Sequence, residues 1–250
     1  MKKAVGVILL ACGLLLAGCG NETAKETTKQ EDPKNEVVKK KEESTGTAEQ
    51  ETTANNEDAE GTADGLTAEE RKEGFEYEPS LGAAKYYGFG YNDEVGIDGT
   101  DGELKPVRMG PMNMTIENVS VLDIIPNDET RETFGGKDRV RAVSVTVKVE
   151  NTSDEDVTFY PGQAIAVTDT GEQVEASDDL TGDVGGDFLG KVKREGDIVF
   201  LLKDEKADIK NVKFIFDGPA DKDMYEISGE KRLTFDILNP TEAKKKDQGK

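Results

Sequence analysis

Between Ala142 and Asn151 the chain places valine at 143, 145, 147 and 149, with Ser144, Thr146, Lys148 and Glu150 between them. Apolar residues at every second position put one row of side chains on one face of a strand, so this segment reads as a strand buried on one side. The same alternation recurs on both sides of it. Met112, Met114 and Ile116 alternate with polar residues, then the phase slips near Asn118 before Val119 and Val121 resume, which predicts a β-bulge. The polar run Asn151 to Asp156 turns the chain into Val157-Thr158-Phe159-Tyr160, and Pro161-Gly162 breaks that strand. Further strands are expected at Ala164–Val167, Gln173–Ala176, Asp197–Leu202, Val212–Phe216 and Arg232–Ile237, with Met224–Ile227 as an additional candidate. Helical periodicity is absent across this region. Seven to nine short strands in about 130 residues predict an all-β fold, a single antiparallel β-sandwich over residues 109–240. The domain contains no tryptophan and no cysteine, so it is not of the antibody type and its core rests on Val, Ile, Leu and Phe.

The succession Val145-Thr146-Val147-Lys148-Val149-Glu150-Asn151-Thr152-Ser153-Asp154, then Val157 to Gln163, Val167 to Gly171 and Gly196 to Phe200, resembles a known family. It is similar to the telokin-like, immunoglobulin-like domain of unknown function carried by Gram-positive lipoproteins and secreted proteins. The resemblance implies an immunoglobulin-like sandwich and an extracytoplasmic setting. It brings no catalytic residues and leaves activity open, since a fold of this kind does not fix a function.

The N-terminus carries an address. Met1-Lys2-Lys3 precedes an apolar run from Ala4 to Ala17, and Leu16-Ala17-Gly18-Cys19 closes it. A charged start, a short apolar core and small residues before a cut are the parts of a secretory signal peptide. A membrane span needs about 20 apolar residues, more than this run supplies. With cysteine after the small pair, the segment resembles a bacterial lipoprotein signal. The resemblance implies cleavage of residues 1–18, diacylglyceryl transfer to the Cys19 thiol, and residence on the extracytoplasmic face of the cell membrane.

The residue inventory then excludes several chemistries. Cys12 leaves with the signal and Cys19 is consumed by lipid, so disulfides are unavailable to the mature chain. Histidine is missing altogether, which rules out Ser–His and Cys–His nucleophile pairs and ordinary zinc sites. The formal charge is −21, and loss of Lys2 and Lys3 with the signal takes it to −23. Such a surface repels nucleic acid, which is not an expected partner. Residues 19–74 are polar, small and charged, with Val37-Val38 as the only β-branched apolar pair, and read as a disordered acidic tether. Its root-mean-square reach is about 40 Å. Within it a short helix is expected from Leu66 to Lys72, with Thr67 as N-cap and Glu70 three residues on.

Three places could hold a function. Residues 75–108 form an aromatic-rich extension expected to pack on the domain. There Tyr86, Tyr87, Phe89 and Tyr91 read either as an exposed platform for sugar or peptide, or as rings spent on burial against the sheet. Asp178, Asp179, Asp183 and Asp187, in a loop rich in Asp and Gly, could supply oxygens to calcium, although the spacing is not that of an EF-hand; the bland alternative is a solvated loop. No other cofactor is implied. A carboxylate pair for glycoside hydrolysis is conceivable in so acidic a chain, but nothing singles one out. Lys203, Lys206, Lys210 and Lys213 read as outward-facing and turn positions, and residues 241–250 as a disordered tail. The expected function is therefore non-enzymatic: a lipid-anchored module, held to the membrane through Cys19, that binds a protein or cell-wall partner. The competing classes are a carboxylate-dependent envelope hydrolase and a structural or stress lipoprotein without a discrete ligand.

Overall fold

The computed structural model describes residues 65–249. The signal sequence, Cys19 and the tether up to residue 64 lie outside the described residues. The fold opens with helix α1 (Ala68–Lys72), where the Thr67 side chain accepts from the Glu70 N–H while Glu70 reaches back to the Thr67 N–H. This reciprocal cap satisfies donors that a short helix leaves open. Order thus begins inside the stretch expected to be tether, and Leu66, Phe75 and Ala83 are buried together there against Ile125.

Strands β1 (Glu76–Glu78), β2 (Gly82–Tyr91), β3 (Val107–Met109), β4 (Met112–Pro126) and β5 (Val140–Asn151) follow. Then come β6 (Val157–Phe159), a 3-10 turn at Pro161–Gln163, β7 (Ile165–Thr168), β8 (Gln173–Glu175), β9 (Gly186–Phe188) and β10 (Lys193–Leu201). The chain ends with β11 (Asn211–Phe216), β12 (Ala220–Asp221), β13 (Lys231–Leu238) and helix α2 (Pro240–Gln248). All the strand pairings are antiparallel. The large sheet runs β10-β5-β4-β2-β13-β11-β7-β8, with β1 beside β2 and β3 beside β4; a small sheet runs β12-β6-β9. The Ser177 N–H, just past β8, donates to the Val199 carbonyl of β10 at 2.7 Å. The large sheet therefore curls until its two ends meet around one core. The all-β antiparallel architecture expected from the sequence is what the chain adopts.

The alternating valines do what their period dictates. Val143, Val145, Val147 and Val149 are buried on the inner face with Met112, Met114, Ile116, Val119 and Val121 of the paired strand. Each such side chain stabilises the fold by roughly 1.5–3 kcal/mol when fully buried. The register slips between Ile116 and Asn118, where the sequence phase slips. Phe214 sits among Phe200, Phe235 and Phe216, with ring centroids 5.4, 5.6 and 6.3 Å away. A second, smaller core covers part of the outer face. Phe134, from the connection between β4 and β5, is buried there with Ile124, Val140 and Ala142, and Leu180 from the acidic loop packs against them.

Two expectations are corrected. The aromatic segment does more than pack on the domain: β2 is an interior strand, paired with β4 on one side and β13 on the other. Gly90 makes this possible, since a Cβ there would lie 2.7 Å from the Val119 side chain. The tail is a helix rather than disordered. Asn239 caps it by accepting from the Thr241 and Glu242 N–H groups, Pro240 occupies its first turn, and Ala243 is buried.

Candidate functional site

The four candidate aromatics separate, and a bulge in β2 separates them. Tyr86 pairs with Leu122 and Gly88 with Val121, leaving Tyr87 as the extra residue. A bulge turns two successive side chains toward one side. Tyr86 and Phe89, three positions apart, consequently share the outer face, where their rings stack at 4.9 Å with planes 28° apart. Tyr86 is 44% exposed and Phe89 half-buried.

Tyr87 packs against the inner core instead. The Arg141 guanidinium lies 3.8 Å from its ring centroid, and its hydroxyl donates to Asp208 at 2.5 Å. Arg141 is itself buried and holds Asp123 through two hydrogen bonds, at 2.7 and 3.0 Å, while a third reaches the Ala207 carbonyl. This polar plug closes one end of the main core. Burial, then the Asp208 contact, raises the Tyr87 phenol above its usual range. Lys210, then Tyr87, donates to Asp208 and holds its carboxyl below the usual value. Tyr91 is buried beneath α2, with its hydroxyl 3.1 Å from Asp247 and Lys246 over its ring at 4.9 Å. Burial, with the Asp247 contact second, pushes its pKa up to about 12.

The acidic loop is anchored rather than loose. Ser177 and Gly182 tie it to the edge of β10, the Thr181 hydroxyl accepts from the Val199 N–H, and Val184 is buried. Its carboxylates diverge. Asp183 pairs with Arg194 at 2.5 Å, Asp187 accepts from the Thr158 hydroxyl at 2.7 Å, and Asp178 and Asp179 are exposed. Among the described residues, no group of three or more acidic side chains is placed to share a metal ion.

A separate cleft of about 780 Å³ lies between the β4–β5 connection and the 203–206 turn, lined by Arg131, Lys137, Arg139, Lys203 and Lys206 among others. Arg131 pairs with Asp138, and Arg139 with Glu73 at 3.1 Å. The Arg139 guanidinium holds the Glu73 carboxyl below its usual value. Two of the lysines from the sequence-defined basic group thus line a cleft wall, while Lys210 pairs with Asp208 at 2.8 Å. What the sequence did not reveal is the pairing of buried Arg141 with half-buried Asp123, because each residue interrupts an otherwise apolar inner face and reads alone as a strand end.

Among the described residues no helix is long and apolar enough to cross a membrane. No family model matches the chain. Over 134 residues the chain is 25% identical to YonS, an uncharacterized lipoprotein derived from the SPbeta prophage of Bacillus subtilis strain 168. That match covers 52% of this chain and 60% of the relative, so the chain spans about three fifths of its length. Among solved structures, a functionally unknown protein from Listeria monocytogenes EGD-e gives a TM-score of 0.44 at 12% identity, covering 66% of this chain and 97% of that one. The yjhA protein from Bacillus subtilis gives 0.36 at 14% identity, covering 51% and 93%. The sequence match supports a bacterial lipoprotein of unknown function, as the resemblance of Leu16-Ala17-Gly18-Cys19 to a lipoprotein signal leads one to expect.

Proposed function

We propose that the chain is a lipid-anchored, extracytoplasmic lipoprotein acting as a non-enzymatic binding module at the cell envelope. The observation that carries the binding reading is the stacked pair Tyr86–Phe89, displayed on the outer face of an interior strand. Large rings held rigidly at a surface give contact area at low entropic cost, which is what binding surfaces use. The anchor reading rests on Leu16-Ala17-Gly18-Cys19 and on the similarity to a lipoprotein.

The hydrolase alternative receives less support. A glycosidase needs a carboxyl whose pKa is raised so that it can donate a proton. Among the described residues, the carboxyls of Glu73 and Asp208 are shifted the other way, because each sits against a cation. Their environment suits ion pairing.

The test has two parts. Expressed in its host, the chain should partition with membranes and the Cys19→Ala form should not mature or stay there; membrane retention of that form sinks the anchor. The purified mature chain should be retained by intact cell envelopes, and Tyr86→Ala should weaken retention about tenfold, the equivalent of 1.4 kcal/mol. Equal retention of both forms removes the ring pair from the binding surface.

A further inference from the structure

Three loops meet at one end of the fold. In the small sheet Val157 of β6 pairs with Phe188 of β9 and with Asp221 of β12, so the chain beyond Phe188 and beyond Asp221 leaves at the end where residues 152–156 enter. There the Asn151 N–H donates to the Val192 carbonyl and the Thr152 N–H to the Pro111 carbonyl, both at 3.0 Å, which ties these loops to the start of β4. Ile227 lies across Gly110, where a Cβ would come within 2.6 Å of its side chain. Leu66 and Phe75 pack beside Ile125 at the other end of β4, about 50 Å away along a 15-residue strand.

This loop end gathers the three most exposed large apolar side chains among the described residues. They are Leu189, Met224 and Tyr225, at 68, 69 and 73%, with Val192 and Ile227 also exposed beside them. Apolar side chains scattered singly over a surface are ordinary, whereas a group of them on adjacent loops marks a contact surface. The turn that presents two of them is strained. Met224, with φ at +64°, is the only non-glycine residue among those described with a left-handed backbone. The Asp221 carboxylate fixes the turn by accepting from the Asp223 and Tyr225 N–H groups, both at 2.9 Å. A bulky side chain costs energy there that glycine would not. Carboxylates surround the group in excess. Residues 152–156, 189–192 and 221–227 carry six acidic side chains against Lys191 and Lys222. Both lysines are spent on Asp154 and Asp223, and Glu155, Asp156 and Glu226 form no ion pair among the described residues.

We propose that this loop end is a second binding surface, independent of the Tyr86–Phe89 pair, and that it takes a cationic amphipathic peptide, one with lysine or arginine on one face and apolar side chains on the other. Leu189, Met224 and Tyr225 supply an apolar centre and the unpaired carboxylates its rim, which is how protein-binding interfaces are built. The rim pairs with the peptide's cations and steers it from a distance. The apolar centre then separates an amphipathic partner from a merely basic one. The same negative rim turns away a second copy of the chain and an anionic bilayer.

The experiment titrates the mature chain, carrying Cys19→Ser so that it stays in solution, with three short peptides and follows backbone amide shifts. One is built of leucine and lysine in helical register, one replaces each leucine by glutamine, and one replaces each lysine by glutamate. The leucine–lysine peptide should shift the amides of 152–156, 189–192 and 222–227. The glutamine–lysine peptide should bind about tenfold more weakly, and the leucine–glutamate peptide should not bind. Leu189→Ser and Tyr225→Ser should each weaken binding about tenfold, and both side chains are exposed, so these variants fold. Tyr86→Ala should leave binding unchanged. Met224→Gly suits the local backbone, so it should hold or raise the thermal midpoint while still weakening binding. Absence of shifts with the leucine–lysine peptide, equal binding of both lysine peptides, shifts spread over the whole acidic surface, or equal losses in Tyr86→Ala and Tyr225→Ser overturn the proposal. So does dimerisation, or retention on phosphatidylcholine vesicles, that Tyr225→Ser abolishes, since the loop end would then be a self-interface or a membrane contact.

Discussion

Arg141 and Asp123 carry the largest single-residue consequence. The guanidinium is buried on the inner face, forked onto the carboxylate and stacked on Tyr87. Its remaining polar contact is the Ala207 carbonyl. Removing one partner strands the other charge, so Asp123→Ala should cost about 3–5 kcal/mol, measured by urea denaturation. Replacing both at once, Arg141→Met with Asp123→Leu, should cost much less, because two apolar side chains need no partner. A double variant as unstable as the single one would show that shape rather than charge holds the site. Tyr91 gives a pH-dependent counterpart. Its folded pKa is about 12 against 10 for a free phenol, so the protonated form is favoured by folding. Its contribution is therefore fully present below pH 10 and is lost as pH rises from 10 to about 12. Tyrosinate absorbance should show a ring titrating at about pH 12 that Tyr91→Phe removes while the raised Tyr87 phenol remains, and that variant should lose about 1 kcal/mol at neutral pH through the Asp247 hydrogen bond.

Elements were legible where one face of a strand carried the signal. The valines of β5 and the phase slip of β4 map directly onto register, because a buried face enforces period two. Strand β2 hid for the opposite reason. On its inner face Gly88 and Gly90 stand where apolar side chains would have marked a strand, and the Tyr87 bulge breaks the phase of the rings. Its aromatics therefore read as a cluster without a face, and whether they were exposed or buried depended on a bulge and on α2. The helix α2 was written in Asn239-Pro240-Thr241-Glu242, a capping box with proline in the first turn, but Lys244-Lys245-Lys246 after it present no apolar stripe to mark a helix. The adjacency of buried Ser120 and Ser144 was not legible, since only cross-strand register brings them together. The cap makes a prediction for the element: Asn239→Ala should cost about 1 kcal/mol in thermal or urea unfolding. It should also return Tyr91 toward an ordinary phenol titration as α2 lifts from the ring. Loss of stability without that shift would mean that Asp247 and Lys246 are held by contacts other than the cap.

At the scale of the molecule, charge and packing oppose one another. The chain carries −21, and its residues 65–249 contain no cysteine, so packing alone resists the repulsion. Many of the ion pairs lie on the surface: Lys191–Asp154, Lys193–Glu150, Lys222–Asp223 and Arg232–Glu230 are all well exposed. Exposed pairs of this kind contribute little, with a median of about 0–1 kcal/mol. Net repulsion acts on the whole compact state and is therefore the larger surface term. Raising sodium chloride from about 10 mM to about 150 mM shortens the screening length from about 30 Å to about 8 Å. The thermal midpoint should accordingly rise by a few degrees, and the Asp123→Ala variant should rise alongside the parent, since its lost pair is shielded from salt by burial. A reductant should leave the midpoint of both unchanged. If salt lowered the midpoint instead, the exposed pairs would outweigh the net charge, and the acidic surface would be a stabilising network rather than a cost that the valine and phenylalanine core must offset.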